Sequence, residues 1–100
     1  MATQVTTVLV SHRSLPGHED QAHQELAQLV AAVLKEEPEC IGIEVLRNVE
    51  DSTRITLIER WSSREAYEGP HMQTQHIQSF IARAGEFLVL PPDISFWYPD

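Results

Sequence analysis

The sequence predicts an α+β fold of the ferredoxin-like kind, with the element order βαββαβ and a four-stranded antiparallel sheet. Four segments rich in β-branched and aromatic residues alternate in polarity, as strands with two different faces do. Two further segments repeat apolar residues at helical spacing, and clusters of Pro, Gly, Asp and Ser separate the segments. At 100 residues, the chain is expected to form one domain over residues 1–100.

The first strand and the first helix are predicted in the N-terminal third of the chain. Residues 5–12 alternate and are rich in valine, with Val8 and Val10 on one face. After Pro16-Gly17, residues 18–37 form a helix that Pro38 ends. Apolar residues recur along this helix at Ala22, Leu26, Leu29, Val30, Val33 and Leu34.

A hairpin, a second helix and a last strand are predicted in the remainder. Residues 41–49 and 53–61 should pair across the turn sequence Glu50-Asp51-Ser52. Ser62, with Glu65 three residues later, resembles a helix start. After Gly69-Pro70, one helix is expected over residues 70–84, burying Met72, Ile77, Phe80 and Ile81. Pro91-Pro92 then introduces a strand over residues 94–98, with Trp97 facing away from Ile94, Phe96 and Tyr98.

The predicted topology leaves one face of the sheet without a cover from its own chain. Right-handed crossovers place both helices on the same face. The strands nevertheless carry apolar residues on both faces, including Val8, Val10, Ile55, Leu57 and Trp97. We therefore expect a homodimer in which two sheets face each other as a dimeric α+β barrel, with a pocket in each half.

Charge and composition exclude several classes of partner. Fifteen acidic against seven basic residues give a net charge of −8, which would repel a phosphate backbone, so no nucleic acid is expected. The longest apolar run, residues 29–34, is too short to cross a bilayer, and no membrane partner is expected. The N-terminal residues lack the pattern of a signal peptide, and Cys40 is the single cysteine, so a cytoplasmic location is expected.

The stretch from Leu57 to Phe80 carries the most informative pattern. It contains Glu59-Arg-Trp61, then Ser62 and Ala66-Tyr67, then His71 and His76, and an aromatic at Phe80. This pattern resembles the signature of the antibiotic biosynthesis monooxygenase family. The resemblance implies the ferredoxin-like dimer and a small-molecule oxygenase, and the histidine pair is similar to the quinol-monooxygenase branch.

Other branches of this family fit the sequence less well. Trp61 and Tyr67 match pocket residues of the aromatic-polyketide branch, whereas Leu57 and Val45 replace its Asn and its Tyr. The haem-degrading branch needs an Asn in the first strand and a second Trp after the third strand. This chain has no Asn in its first strand, and Gly69 stands about where the Trp would be. The family also contains an isomerase, so the resemblance does not define one reaction.

Glu59 and the histidines are the candidate catalytic residues. Glu59 shares an apolar strand face with Leu57 and Trp61, so it needs a partner such as His or Arg, either for chemistry or simply for pairing. His76 is the predicted general base, oriented by Glu59 or His12, and His71 and His12 are alternative bases. The predicted substrate wall comprises Trp61, Tyr67, Phe80, Trp97 and His12, with Trp61 and Tyr67 sandwiching a flat ring unless Trp61 is a core residue.

No metal and no cofactor are predicted. His71 and His76 are five residues apart, which on one helix separates them by about 140°, and no carboxylate cluster accompanies them. The sequence contains no Gly-rich phosphate loop, dinucleotide fingerprint or nucleophile elbow. The predicted function is a cofactor-independent monooxygenase that oxidises a quinol-like or polycyclic phenolic aromatic substrate with molecular oxygen. The alternative is a non-oxidative isomerase or a binding protein of the same fold.

Overall fold

The computed structural model describes residues 4–100 and contains one antiparallel sheet with the strand order β2-β3-β1-β4. The predicted ferredoxin-like α+β fold is confirmed. Residues 1–3, with which the expectation about a signal peptide begins, lie outside the described part. The elements are β1 (Thr6–Ser14), α1 (Glu19–Glu36), β2 (Cys40–Arg47), β3 (Arg54–Trp61), α2 (Arg64–Glu68), a 3₁₀ turn (Pro70–Gln73), α3 (Gln75–Ala84) and β4 (Leu88–Trp97).

The core lies between the helices and one face of the sheet. Alternate residues of β1 and of β3 are buried on this face, as the alternation of side chains along a strand requires. Val8 and Leu57 pack there with Ala22 and Leu26 of α1. Val8, Val10, Ile55 and Leu57, which the sequence places among the apolar residues of the two faces, all lie on the covered face, so of that set only Trp97 can contribute to the uncovered one. Both faces of these strands carry apolar residues, so the pattern alone does not identify the face that the helices cover.

The opposite face of the sheet has no cover from residues 4–100. Leu9 and Ile58 lie opposite each other at its centre and are half-buried. Three further apolar side chains around them are exposed, namely Leu46, Val89 and Trp97. We call this surface the open face.

Two helix starts differ from the prediction. Ser63, not Ser62, caps α2, because its Oγ accepts a hydrogen bond from the backbone N–H of Ala66 at 3.1 Å. Ser62 donates its hydroxyl to Glu39 instead.

The single helix expected over residues 70–84 is divided in two. The 3₁₀ turn ends at Thr74, whose extended backbone breaks the helix and whose hydroxyl caps α3 by accepting from Ile77 N at 3.3 Å. As a result, His71 and His76 do not lie on one helix. Ile81, expected to be buried, is 53% exposed.

The last strand is longer than predicted. β4 begins at Leu88 and includes Pro91 and Pro92, which the sequence places before the strand. Proline is tolerated there because β4 is an edge strand, and its pairing with β1 shifts register between Ser11 and Arg13. Among residues 4–100, no helix is long and apolar enough to cross a membrane.

Candidate active site

A cavity of about 310 Å³ lies between the sheet and the helices of one chain. Its walls are mostly apolar and include Val10 on β1, Leu57 on β3, Leu29 on α1 and Phe80 on α3. The polar residues that line it are His12, Glu59, Tyr67 and His71. The pocket expected between two facing sheets is therefore found under the helices, on the other side of the sheet.

His71 and Glu37 form a buried pair beside this cavity. Pro38 ends α1 and leaves Glu37 at its C-terminal cap, while the 3₁₀ turn carries His71. The His71 Nδ1 lies 3.0 and 2.9 Å from the two carboxylate oxygens of Glu37. An ionised carboxylate only accepts, so Nδ1 must carry the proton and Nε2 the lone pair. No group in residues 4–100 hydrogen-bonds Nε2, and it is not fully enclosed.

His76 lies on the outer side of Glu37. Its Nε2 is 2.6 Å from the carboxylate, but the residue does not line the cavity. Its ring instead lines a depression at the surface, together with Glu25 and Arg83. The placement of His76 in the cavity wall is wrong, whereas His71 lines the cavity. The interruption of the helix at Thr74 explains why His71 and not His76 lines the cavity, since it changes the chain direction between the two histidines.

The electrostatics of the site keep His71 uncharged near neutral pH. Burial lowers the pKa of His71 below its ordinary value of 6.5, because the charged imidazolium loses its hydration. The hydrogen bond and the negative charge of Glu37 offset part of this effect, whereas His76 adds to it. A neutral imidazole with a free lone pair can accept a proton from a substrate.

Glu59 is the second acid–base group of the cavity. Its Oε1 accepts a hydrogen bond from the Trp61 indole N–H at 2.9 Å, so the expectation of a His or Arg partner is wrong. Burial raises the pKa of Glu59 to about 7, although the Trp61 hydrogen bond opposes this shift. Glu59 therefore titrates much closer to neutral pH than an ordinary carboxyl group and can donate or accept a proton.

Three aromatic rings are packed against one another at the Glu59 end of the cavity. The His71 ring stacks on Tyr67 at 5.1 Å and lies 4.7 Å from Trp61. Trp61 is completely buried and meets Tyr67 edge-on at 5.7 Å, which leaves no space for a substrate between them. The predicted sandwich is therefore wrong, and Trp61 supports the wall from behind. Burial raises the pKa of Tyr67, so its hydroxyl keeps its proton and can donate.

Phe80 and Trp97 occupy different surfaces. Phe80 lines the cavity and packs edge-on against His12 and Phe87. Trp97 is 55% exposed on the open face, where its indole N–H donates to Ser95. The placement of Trp97 in the pocket wall of its own chain is wrong, because strand alternation turns it away from Phe96 and the helices.

His12 is buried without a hydrogen-bonding partner. It lines the cavity, and its Nδ1 makes no hydrogen bond with any residue from 4 to 100. Burial lowers the pKa of His12 to about 4, so the ring is neutral at physiological pH.

Glu37, His71 and His76 also have the spacing of cation ligands. One donor atom from each lies within 4.8 Å of the others. The sequence argument against a metal assumed one continuous helix and no carboxylate, and both assumptions are wrong. Each donor is already hydrogen-bonded within the group, and Glu37 and His76 are outside the cavity lining. The absence of a metal stays a prediction, which metal analysis of the purified protein tests.

The fold and its apolar cavity define a class of small α+β proteins with space for a small molecule. The family model described as antibiotic biosynthesis monooxygenase matches residues 6–83, a range that includes His12, Glu37, Glu59 and His71. The chain therefore belongs to the antibiotic biosynthesis monooxygenase family. Comparison with functionally curated proteins finds no match.

Solved structures share the fold over the whole chain. PA3566 from Pseudomonas aeruginosa is 27% identical, with a TM-score of 0.86 over 100% of this chain and 98% of that one. Rv0793 from Mycobacterium tuberculosis is 20% identical, with a TM-score of 0.84 over 97% and 96% of the two chains. A Bordetella bronchiseptica protein, described as a candidate antibiotic biosynthesis monooxygenase, is also 20% identical, with a TM-score of 0.85 over 98% and 99%.

Proposed function

We propose that this protein is a cofactor-independent monooxygenase that oxidises a flat phenolic or quinol-like small molecule with molecular oxygen. The observation that carries the proposal is the His71–Glu37 pair at the wall of an apolar cavity. Glu37 holds the His71 proton on Nδ1, which leaves Nε2 as a base for a bound substrate. Family membership supports the oxygenase class, while the substrate class rests on the cavity.

His71 starts the proposed reaction by removing a proton from the substrate. The resulting phenolate is electron-rich and reduces molecular oxygen directly, so the substrate supplies the electrons. One oxygen atom then forms a bond to a ring carbon, and the other leaves as water with two hydrogens from the substrate, so that one O₂ is consumed. In an anthrone both hydrogens come from the CH₂ group, which becomes a carbonyl; in a quinol they come from a ring C–H and a hydroxyl, and the product is a hydroxyquinone.

The other lining residues support this chemistry. The apolar walls exclude water. Water would otherwise hydrate the phenolate and exchange protons with the reacting groups. The Tyr67 hydroxyl remains protonated and can donate to a substrate oxygen. Glu59, with a pKa of about 7, can return a proton to the departing oxygen. The protein thus contributes positioning and proton transfer.

Oxygen consumption tests the proposal. We expect wild-type protein to consume oxygen with menadiol or an anthrone and to transfer one atom of labelled O₂ to the product. His71→Ala should lower the turnover by about 10²- to 10⁴-fold with the fold retained, because a general base contributes on that order. His18→Ala is the matched control, since His18 lies outside the cavity lining. No uptake with any quinol or phenol would contradict the proposal.

A proton-shuttling isomerase is the second candidate. Glu59 and the neutral His71 line the same cavity, and two such groups can remove and return a proton on neighbouring atoms. The residues lining the cavity, all within 4–100, include no Arg or Lys, which disfavours a phosphorylated substrate. Deuterium incorporation from heavy water into a ketone substrate, without oxygen uptake, would favour this function.

A homodimer joined through the open face is also part of the proposal. A second copy on this face would bury the apolar side chains of Leu9, Ile58 and Trp97 in the interface. In that arrangement each chain would keep its own cavity, because the cavity lies on the opposite side of the sheet.

A further inference from the structure

The geometry points to His12 as a recognition residue for the far end of an elongated flat ligand that carries a polar atom at each end. The inference rests on the proposed function for the near end, where His71, Glu59 and Tyr67 would meet the reacting group. His12 lies at the opposite end of the same cavity.

The strand register gives the separation of the two ends. His12 pairs with Ile55, whereas Glu59 pairs with Val8. Four residues of β3 therefore separate the two polar positions, which corresponds to about 13 Å at the rise of an extended strand. Both side chains are buried on the helix-covered face. The strand residues between them on this face are Val10 and Leu57, so the middle of the cavity is apolar.

The His12 ring is available for a ligand. Its Nδ1 is fully enclosed and unpartnered within residues 4–100, so a ligand in the cavity cannot reach that atom. Its Nε2 also makes no hydrogen bond with residues 4–100 but is not fully enclosed, and the neighbouring Phe80 ring packs at a steep angle to the imidazole. A neutral imidazole has one N–H donor and one lone pair, so it can bind a hydroxyl or a carbonyl oxygen. A ligand oxygen at Nε2 would give the ring a hydrogen bond that no residue from 4 to 100 supplies.

The pairing of β1 with β4 is irregular beside His12. The register skips from Ser11 to Arg13, and β4 carries Pro91 and Pro92 across this gap. Proline has no backbone N–H to donate. His12 also borders a second, polar cavity of about 170 Å³ lined by Arg54 and Asp93. Water in that small cavity is the competing partner for His12.

The separation of the ends determines the ligand class. A single ring can reach only one polar end, whereas three linearly fused rings with an oxygen at each end can reach both. The apolar middle then contacts the faces and edges of the rings. His12 would therefore select for length and for a second oxygen, and would take no part in proton transfer.

Binding of two matched ligands tests this inference without turnover. The probes are 2,6-dihydroxyanthraquinone, which has a hydroxyl at each end, and 2-hydroxyanthraquinone, which lacks one of them. Isothermal titration should show that wild-type protein binds the two-ended ligand about three- to tenfold more tightly, the value of one hydrogen bond. His12→Phe should lose this preference and keep its affinity for the one-ended ligand.

Two further measurements guard against a folding artefact. His12→Gln, which keeps a donor and an acceptor, should retain the preference, and His18→Gln should resemble wild type. Nuclear magnetic resonance of ¹⁵N-histidine-labelled wild-type protein should show the His12 ring nitrogens shifting with the two-ended ligand only.

Equal affinity of wild type for both ligands, an undiminished preference in a folded His12→Phe, or no binding of either ligand would overturn the inference. The two proposals fail separately. A retained preference without oxygen uptake would contradict only the monooxygenase function, and oxygen uptake without a preference would contradict only the role of His12.

Discussion

Single residues decide the acid–base behaviour of the cavity. Glu37 accepts a hydrogen bond from His71 Nδ1 and so keeps the proton of the neutral ring on that nitrogen. Its negative charge also raises the pKa of His71. Such a carboxylate acts through its neighbour and does not itself line the cavity. Under the proposed function, Glu37 is a positioning residue whose effects should appear in the pH dependence of turnover as well as in its rate.

Substitution of Glu37 tests this role. Glu37→Gln keeps an oxygen acceptor but removes the negative charge that raises the pKa of His71. The acidic limb of the kcat/KM profile should therefore move to lower pH, and turnover should fall by about tenfold or more as the tautomer is held less firmly. A pH–rate profile measured against wild type checks this. An unchanged acidic limb would show that Glu37 does not influence the base.

The second residue-scale prediction concerns Glu59 and stability. Its folded pKa of about 7 exceeds the ordinary value of 4.5, so the folded state binds more protons than the unfolded state between these pH values. The free energy of unfolding contributed by Glu59 therefore falls as pH rises through this window, by about 3 kcal/mol in total. Glu59→Gln should remove this loss, because glutamine can still accept from Trp61.

Urea unfolding at two pH values measures the effect. Glu59→Gln should be more stable than wild type at pH 8, and the difference should shrink at pH 5. Glu65→Gln is a suitable control, because Glu65 lies in the first turn of α2 and outside the cavity. A difference independent of pH would mean that Glu59 does not titrate as its burial implies.

Most of the cavity's polar residues could be predicted from the sequence, but their arrangement could not. The Glu59-x-Trp61 spacing on one strand face and the pattern around Tyr67 and His71 identify the region. Glu37 was missed because its partner is 34 residues away and the only local signal is a glutamate before Pro38. To choose between His71 and His76, one must know where the helix is interrupted between them. That position, Thr74, depends on packing.

At the scale of elements, the short α2 depends on its cap. A helix of five residues has little stability of its own, so the hydrogen bond from Ala66 N–H to Ser63 Oγ matters. Ser63→Ala should lower the free energy of unfolding by about 1 kcal/mol. Ser62→Ala, at the position that the sequence favours as the cap, should change it by less than about 0.5 kcal/mol. Urea titration of both variants decides between them, and a larger effect at Ser62 would contradict the observed cap.

The elements themselves follow closely from periodicity, and their ends follow less well. β3 and α1 agree with the prediction to within a residue or two, because each has a strong pattern and a clear stop. β4 was predicted too short because proline usually argues against a strand, and only its edge position makes Pro91 and Pro92 acceptable. The sequence does not reveal which strand lies at the edge.

At the scale of the whole molecule, the open face is the feature that most needs a partner. Trp97→Asp places a charge on this face and should convert a dimer into a monomer at micromolar concentration, as sedimentation equilibrium would show. Val49→Asp is the matched control, since Val49 is 98% exposed in the turn between β2 and β3. A wild-type protein that sediments as a monomer would contradict the proposed dimer.

The two tryptophans have opposite surroundings, and this gives the protein two internal optical reporters. Trp61 is fully enclosed behind the cavity wall and touches His71, so its emission should be blue-shifted and should respond when the cavity fills. Trp97 is half in water on the open face, so its emission should be red-shifted and should respond when a second chain covers it. Replacing either one with phenylalanine would leave a single fluorophore, and ligand binding and subunit association could then be followed separately in an unlabelled sample.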